Sequence, residues 1–156
     1  SSLVPASTVT EHWKIYSFAA QEAGRAIPHR SNWRVARSIY VGESNAEARK
    51  HAVNGTFGRS FEYIRSIIES LNTLHILKHN PQVADNEVTL DYLLKHLCIV
   101  GDPDSCVRQL QDLWEQTGGF GTLLMTTHDW DDKAKWVRSM ELLANKVLPA
   151  LPTTYD

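Results

Sequence analysis

Apolar and polar residues along this chain recur with either a helical or a strand period, and the switches between the two mark its elements. The clearest unit covers residues 99–130. Asp102 suits a helix N-cap, Pro103 the first helical position, and Asp104 adds negative charge at the positive helix end. Val107, Leu110, Leu113 and Trp114 then recur at helical spacing, leaving Arg108, Gln109, Gln111, Asp112 and Glu115 for water. Gly118 and Gly119 can take the left-handed conformation that stops a helix, and residues 122–127 form a short apolar, β-favouring run without polar alternation. Such a run predicts a strand covered on both faces. His128, Asp129 and Trp130 follow at its C-terminal end, where parallel α/β folds bind their ligands.

Upstream, residues 1–5 read as the tail of a strand, and Thr8 with Glu11 as a capping box. The helix this predicts carries a stripe of Trp13, Tyr16, Ala20 and Ala23 flanked by Ile15 and Phe18, and stops at Gly24 and Pro28. Residues 32–41 predict a strand with Trp33, Val35, Ile39 and Val41 on one side and Arg34, Ala36, Ser38 and Tyr40 on the other. That second side, small and hydrogen-bonding, fits a barrel strand with helices outside and a polar cavity within. Ser44 with Glu47 predicts another capping box and a short helix through Ala52, broken by Asn54 and Gly55. Phe57, Phe61, Ile64, Ile68, Leu71 and Leu74 keep a helical period, giving a helix over about residues 60–77. Residues 80–86 form a turn, and residues 88–97 predict one more short helix capped by Thr89 or Asn86. Asp131 or Asp132 caps a last helix with Ala134, Val137, Met140, Leu143, Ala144 and Val147 inward, closed by Pro149.

The order is therefore strand stub, helix, strand, helical insertion, helix, strand, helix, which is an α/β pattern with about three parallel strands. Three strands do not close a barrel. The pattern predicts a single incomplete domain over residues 1–156, with a helical insertion or lid over about residues 43–100, longer than an ordinary strand-to-helix connection.

Composition narrows the function classes. With 156 residues, 42% of them hydrophobic, and a formal charge of −2, the chain can bury one core and is neither a general nucleic-acid binder nor a membrane-surface protein. A run of ~18 apolar residues that would span a bilayer and a signal peptide are both missing from the pattern, which predicts a cytoplasmic setting. Cys98 and Cys106 read as two free thiols, in keeping with a reducing compartment. His75 and His79 stand four apart on a predicted helix, but with no third ligand and no HExxH glutamate they read as a helix-surface pair, so no metal is expected. Gly118, Gly119 and Gly121 read as a helix stop and strand start, not as a phosphate loop.

Taken in order, GDPDSCVRQLQDLWEQTGGFGTLLMTTHDW, SMELLANKVLPAL and WRVARSIYVGESNAEAR resemble the C-terminal part of the bacterial-luciferase-like flavin monooxygenases. NGTFGRSF with VTLDYLLKHLCIVG resembles the insertion carried by the branch that contains the limonene, diketocamphane and alkanal monooxygenases. The resemblance covers about residues 3–151. It implies a (β/α)8 TIM barrel of which this chain supplies the C-terminal portion: residues 1–5 ending strand six, residues 34–41 strand seven and residues 122–127 strand eight. It also implies FMN, reduced by a separate flavin reductase, that reacts with O2 to a flavin hydroperoxide and delivers one oxygen to a small-molecule substrate. A related branch uses a deazaflavin. At the strand ends and in the insertion, the resemblance implies a catalytic, hydrogen-bonding His128, a cofactor contact from Arg59, and substrate-side walls from Trp130, Phe57 and Tyr40. A missing N-terminal barrel half would complete the site, and the fragment alone would be inactive. The alternative reading is a non-catalytic half-barrel binding or assembly module that forms a homodimer through exposed strand edges.

Overall fold

The computed structural model of the chain describes residues 3–126, 128 and 131–151. Three parallel strands form its sheet: β1 (Arg34–Val41) in the centre, β2 (Cys98–Gly101) on one side and β3 (Thr122–Thr126) on the other. β1 pairs with β3 through its first half, Ser38 opposite Thr126, and with β2 through its second half, Ser38 opposite Cys98 and Val41 opposite Gly101. The expected three-stranded parallel α/β unit is present, but its third strand is β2 and not the N-terminal stub. Leu3, Val4 and Pro5 form no strand, and Ser1 and Ser2 lie outside the described residues. Cys98, Ile99 and Val100 are β-favouring but too few to show a period, so in the sequence they merge with the helix before them.

Among the described residues, six α-helices accompany the sheet. α1 (Ala6–Glu22) has Pro5 at its N-cap, three residues before the expected cap Thr8. The Pro5 carbonyl accepts the Val9 N–H at 3.1 Å, while a proline at the helix start has no N–H of its own to leave unpaired. Val9 and Trp13 are its buried residues, so the inward stripe is rotated from the expected one and Tyr16, Ile15 and Phe18 are exposed. α2 (Asn45–Asn54) is capped as expected, Ser44 Oγ accepting the Glu47 N–H at 3.2 Å. α3 (Thr56–Ser70) starts one turn earlier than the periodicity predicts and stops earlier too, because Asn72 takes a left-handed conformation (φ 55°) and a 3-10 turn, Leu74–Leu77, follows. α4 (Leu90–Leu97) is capped by Thr89. α5 (Pro103–Thr117) has the expected Asp102 cap, its carboxylate accepting the Ser105 N–H at 2.8 Å, and ends at left-handed Gly118. α6 (Lys133–Leu142) is capped by Asp132, and its buried residues are Trp136, Ser139 and Leu142. Val137 is exposed, so this helix too is rotated from the expected phase, and a π-helical turn, Leu143–Val147, extends it.

The two faces of the sheet bury different material. Ile39, Val41 and Ile99 pack on Cys106, Leu110, Leu142, Leu143 and Val147, while Val35 packs on Val9, Leu113 and Phe120. α1, α5 and α6 thus cover this face of the sheet. Tyr40 and Cys98, on the opposite parity, pack on Ala48, Ala52, Phe57, Phe61, Leu93, Leu97 and Trp136, so the insertion helices α2 to α4 cover the C-terminal end of the inner face. Each fully buried aliphatic or phenyl side chain in these clusters contributes roughly 1.5–3 kcal/mol by leaving water. Arg30 ties the N-terminal end together: its guanidinium lies 5.0 Å and 5.5 Å from the rings of Trp13 and Trp33 and donates to the Gly119 carbonyl just beyond α5. Among the described residues, no helix is long and apolar enough to cross a membrane.

Candidate functional site

The inner face of the sheet carries hydroxyls where two strands run in register. Ser38 of β1 and Thr126 of β3 are direct partners, and their side-chain oxygens lie 2.9 Å apart. Side chains of paired residues in a parallel sheet share a face, so this contact follows from register alone. His128, just past β3, extends the chain of polar groups: its Nε2 is 3.3 Å from Ser38 Oγ. Ser38 is 2% exposed and His128 is partly buried. Toward the N-terminal end of the same face, Leu124, opposite Ala36, is 46% exposed, so the polar group lies at the covered end of a half-open wall.

Aromatic rings from the insertion close over the imidazole. The Phe57 ring centroid is 4.7 Å from that of His128, tilted by 60°, and the Phe61 ring is 5.5 Å away. Phe57 and Phe61 stack on each other at 5.4 Å. Phe57 also lies 6.2 Å from Trp136, whose indole is met edge-on by Tyr40 at 5.3 Å. Two of the expected site residues, His128 and Phe57, are thus in contact although 71 positions separate them.

Tyr40 forms the layer behind them. Its ring stacks on His51 at 4.3 Å and its hydroxyl donates to Glu47 Oε1 at 3.4 Å. Burial, then the charge of Glu47, pushes the phenol well above its ordinary range, which keeps it a neutral donor. Burial lowers the His51 imidazole in turn, against the pull of Asp131. Arg59 sits on the outer rim of the first turn of α3, largely exposed, with Nη1 donating to the Asn54 carbonyl at 3.1 Å and Nη2 3.5 Å from Asp131 Oδ2. Trp130, like Thr127 and Asp129, lies outside the described residues. No three His, Cys, Asp or Glu side chains come together as a metal site among the described residues.

Ser38, Thr126, Phe61 and Trp136 join this constellation without having been singled out from the sequence. Ser38 and Phe61 were legible in part, as an inward-facing strand position and as a helical-period position. Trp136 was missed because the alternative phase through Val137 and Ala134 fits the apolar pattern of α6 equally well.

Chemically the arrangement offers two hydroxyls and an imidazole on one side of an aromatic lining, a combination that binds a planar or apolar molecule and directs one hydrogen bond to it. No protein-family model matches the chain. Among known proteins it is 32% identical over 142 residues to 3,6-diketocamphane 1,6-monooxygenase of Pseudomonas putida, a match covering 90% of this chain and 37% of that protein. Limonene 1,2-monooxygenase of Rhodococcus erythropolis is 28% identical over 142 residues, covering 90% of this chain and 34% of that protein. The solved oxygenating constituent of 3,6-diketocamphane monooxygenase from the CAM plasmid of Pseudomonas putida, a Type II Baeyer-Villiger monooxygenase in complex with FMN, superposes with a TM-score of 0.82 at 31% identity. That match covers 95% of this chain and 41% of that one. The chain spans about two fifths of the length of these relatives. Over the part it spans, the chain is a homologue of the diketocamphane and limonene monooxygenases, and its fold matches that of the FMN-bound Type II Baeyer-Villiger enzyme.

Proposed function

We propose that this chain is the C-terminal part of an FMN-dependent monooxygenase that oxygenates a small organic substrate, a cyclic ketone or a terpene of the kind its relatives are named for. The observation that carries the reading is the meeting of Thr126 and His128, at and just past the C-terminal end of β3, with Ser38 of β1 and with Phe57 and Phe61 of α3. The donors present fit one wall of a flavin site: neutral hydroxyls and an imidazole suit a ring with polar edges, and the phenyl rings suit its apolar faces. Reduced FMN, when bound, supplies the electrons with which O2 is split, one oxygen atom going to the substrate and the other to water. A separate flavin reductase delivers it, and the remaining barrel strands, from an N-terminal half or a partner copy, hold the rest of the cofactor. The enzyme works in the cytoplasm, in keeping with two buried free thiols.

His128 donates from its imidazole to the substrate carbonyl or to the oxygen being transferred, held in place by Ser38. Phe57 walls the substrate side and excludes water, and Trp130 contributes to substrate binding. Tyr40 backs that wall and fixes its depth. Arg59, on the rim, meets the cofactor. The test uses the complete polypeptide translated from the reading frame that contains residues 1–156, supplied with FMN, a flavin reductase and isotopically labelled O2. One labelled oxygen in the oxidised ketone is the expected result. A protein that binds reduced FMN and consumes O2 without labelling any of a panel of cyclic ketones and terpenes overturns the proposal.

A further inference from the structure

The loop after β3 also reaches the insertion through a carboxylate. Asp131 Oδ2 accepts the Thr56 N–H at 2.8 Å, 75 residues earlier in the chain, and stands 3.5 Å from Arg59 Nη2. α3 has Gly55 at its N-cap and therefore no cap of its own from that residue, so Asp131 serves as a cap supplied from a distant element. The approach is as close as the backbone allows: a Cβ on Gly55 would stand 3.0 Å from Asp131 Oδ2 and 2.8 Å from the His51 carbonyl. Arg59 binds the Asn54 carbonyl with its other nitrogen, so the end of α2, the start of α3 and the loop after β3 meet at one charged junction. Phe57 is the next residue after Thr56, and Phe61 lies one turn on; these are the two rings against His128.

We infer that Asp131 is a positioning residue: it clamps the first turn of α3 to the loop after β3 and thereby sets the Phe57 and Phe61 rings against the His128 imidazole. Its consequence for turnover rests on the role of His128 proposed above; the clamp itself does not. The charged and titratable groups around the carboxylate are His51 from α2, Arg59 from α3, Tyr40 from β1, and Asp132 and Lys135 from its own segment, with Glu47 beyond His51. The Thr56 N–H holds the Asp131 carboxyl below the usual carboxylate range. A depressed carboxyl contributes its bond above the ordinary carboxylate pKa and loses it as pH falls through the folded-state value.

Amide hydrogen exchange on the full chain tests the clamp without flavin. Asp131→Ala is expected to speed exchange at Thr56 about tenfold, the loss of one charge-assisted hydrogen bond, while the amides of β1 and α5 hold. Asp131→Asn keeps the shape and an acceptor, so it should show a smaller rise and lack the acid dependence of Thr56 protection expected of the wild type. Unchanged exchange at Thr56 in both variants overturns the clamp. In the flavin-supplied complete enzyme, Asp131→Asn should lower kcat and divert O2 to peroxide while FMN affinity stays within about twofold. Faster exchange with unaltered kcat and coupling overturns the positioning role. Wild-type enzyme that turns over nothing would overturn the proposed function instead, and the exchange data would still decide the clamp.

Discussion

Nε2 of His128, just past the end of β3, and Oγ of Ser38, in the middle of β1, meet at 3.3 Å, 90 residues apart in sequence. Ser38 is bound at once to His128 and to Thr126, so its hydroxyl is positioned from one side and orients the imidazole on the other. A ring fixed through one nitrogen presents the other in a set direction.

Removing either partner should therefore separate orientation from donation. In the complete flavin-supplied enzyme, His128→Ala should lower kcat by about a hundredfold, within the range of a lost acid–base or hydrogen-bonding group. Ser38→Ala should lower it by about tenfold, the worth of one hydrogen bond. FMN affinity, read by fluorescence titration, should fall by less than kcat in both. The double variant should be no slower than His128→Ala, because Ser38 acts through the ring it orients. Normal turnover in His128→Ala would remove His128 from the site.

Trp136 should dominate the stability of the insertion's attachment. It is 0% exposed and joins Phe57 and Tyr40 in one cluster. Trp136→Ala should cost about 3–5 kcal/mol through lost burial and the cavity left behind, read as a fall in the denaturant midpoint. Val137→Ala, one position on and exposed, should change stability by less than about 0.5 kcal/mol. The reverse order would mean that α6 buries its other face.

These two neighbours show what was legible in the sequence and what was not. Local signals placed the caps at Ser44 and Asp102 and the stop at Gly118, and narrowed two more caps to pairs that contain Thr89 and Asp132, because each works within one turn of the backbone. Alternation placed β1 and the parity that turns Ser38 inward. Phase failed where two stripes of a helix are both apolar: α1 turns Val9 and Trp13 inward and leaves Ile15 and Phe18 out, and α6 turns Trp136 inward and leaves Val137 out. Local reasoning also failed where a boundary is set from elsewhere in the chain. α3 begins at Thr56 with a cap from Asp131, and no window around Gly55 contains that carboxylate. The same holds for the meeting of Phe57 with His128. Family resemblance supplied the His128 and Phe57 assignments individually, but only the register of β1 on β3 and the docking of α3 bring them together.

Asp102 predicts an acid-sensitive joint between the insertion and α5. Its carboxylate accepts from Ser105 N–H at 2.8 Å and from Asn45 Nδ2 at 2.8 Å, while Asn45 Oδ1 accepts the Asp102 N–H at 3.0 Å. The bond from Ser105 holds the carboxyl below its ordinary value. Its folded-state pKa being depressed, the contribution is complete above the ordinary carboxylate range and fades as pH falls through the folded value. Asp102→Ala should cost about 1 kcal/mol at neutral pH, as lost N-caps do, and less in acid. Equal losses at neutral and acid pH, followed by chemical denaturation, would contradict the assignment.

A second pH dependence should come from the stacked imidazoles of His79 and His96, which replace the helix-surface pair expected of His75 and His79. Their rings lie 3.9 Å apart and nearly parallel, at 6°, and His79 is held by Tyr92, whose hydroxyl accepts the His79 N–H at 2.9 Å and lies 2.7 Å from its Nδ1. Burial, then the neighbouring His79 and Lys95, lowers the His96 pKa. For a base whose folded-state pKa lies below its unfolded one, the unfolded chain binds the proton more tightly. Stability is complete above the ordinary histidine pKa and falls as pH drops through the folded-state value. The denaturant midpoint of the wild type should therefore decline from neutral pH toward mild acid. In His96→Phe, which keeps a stacked ring and removes the titrating group, that decline should shrink. An identical slope in the variant would show that His96 is already charged, or free of the stack, at neutral pH.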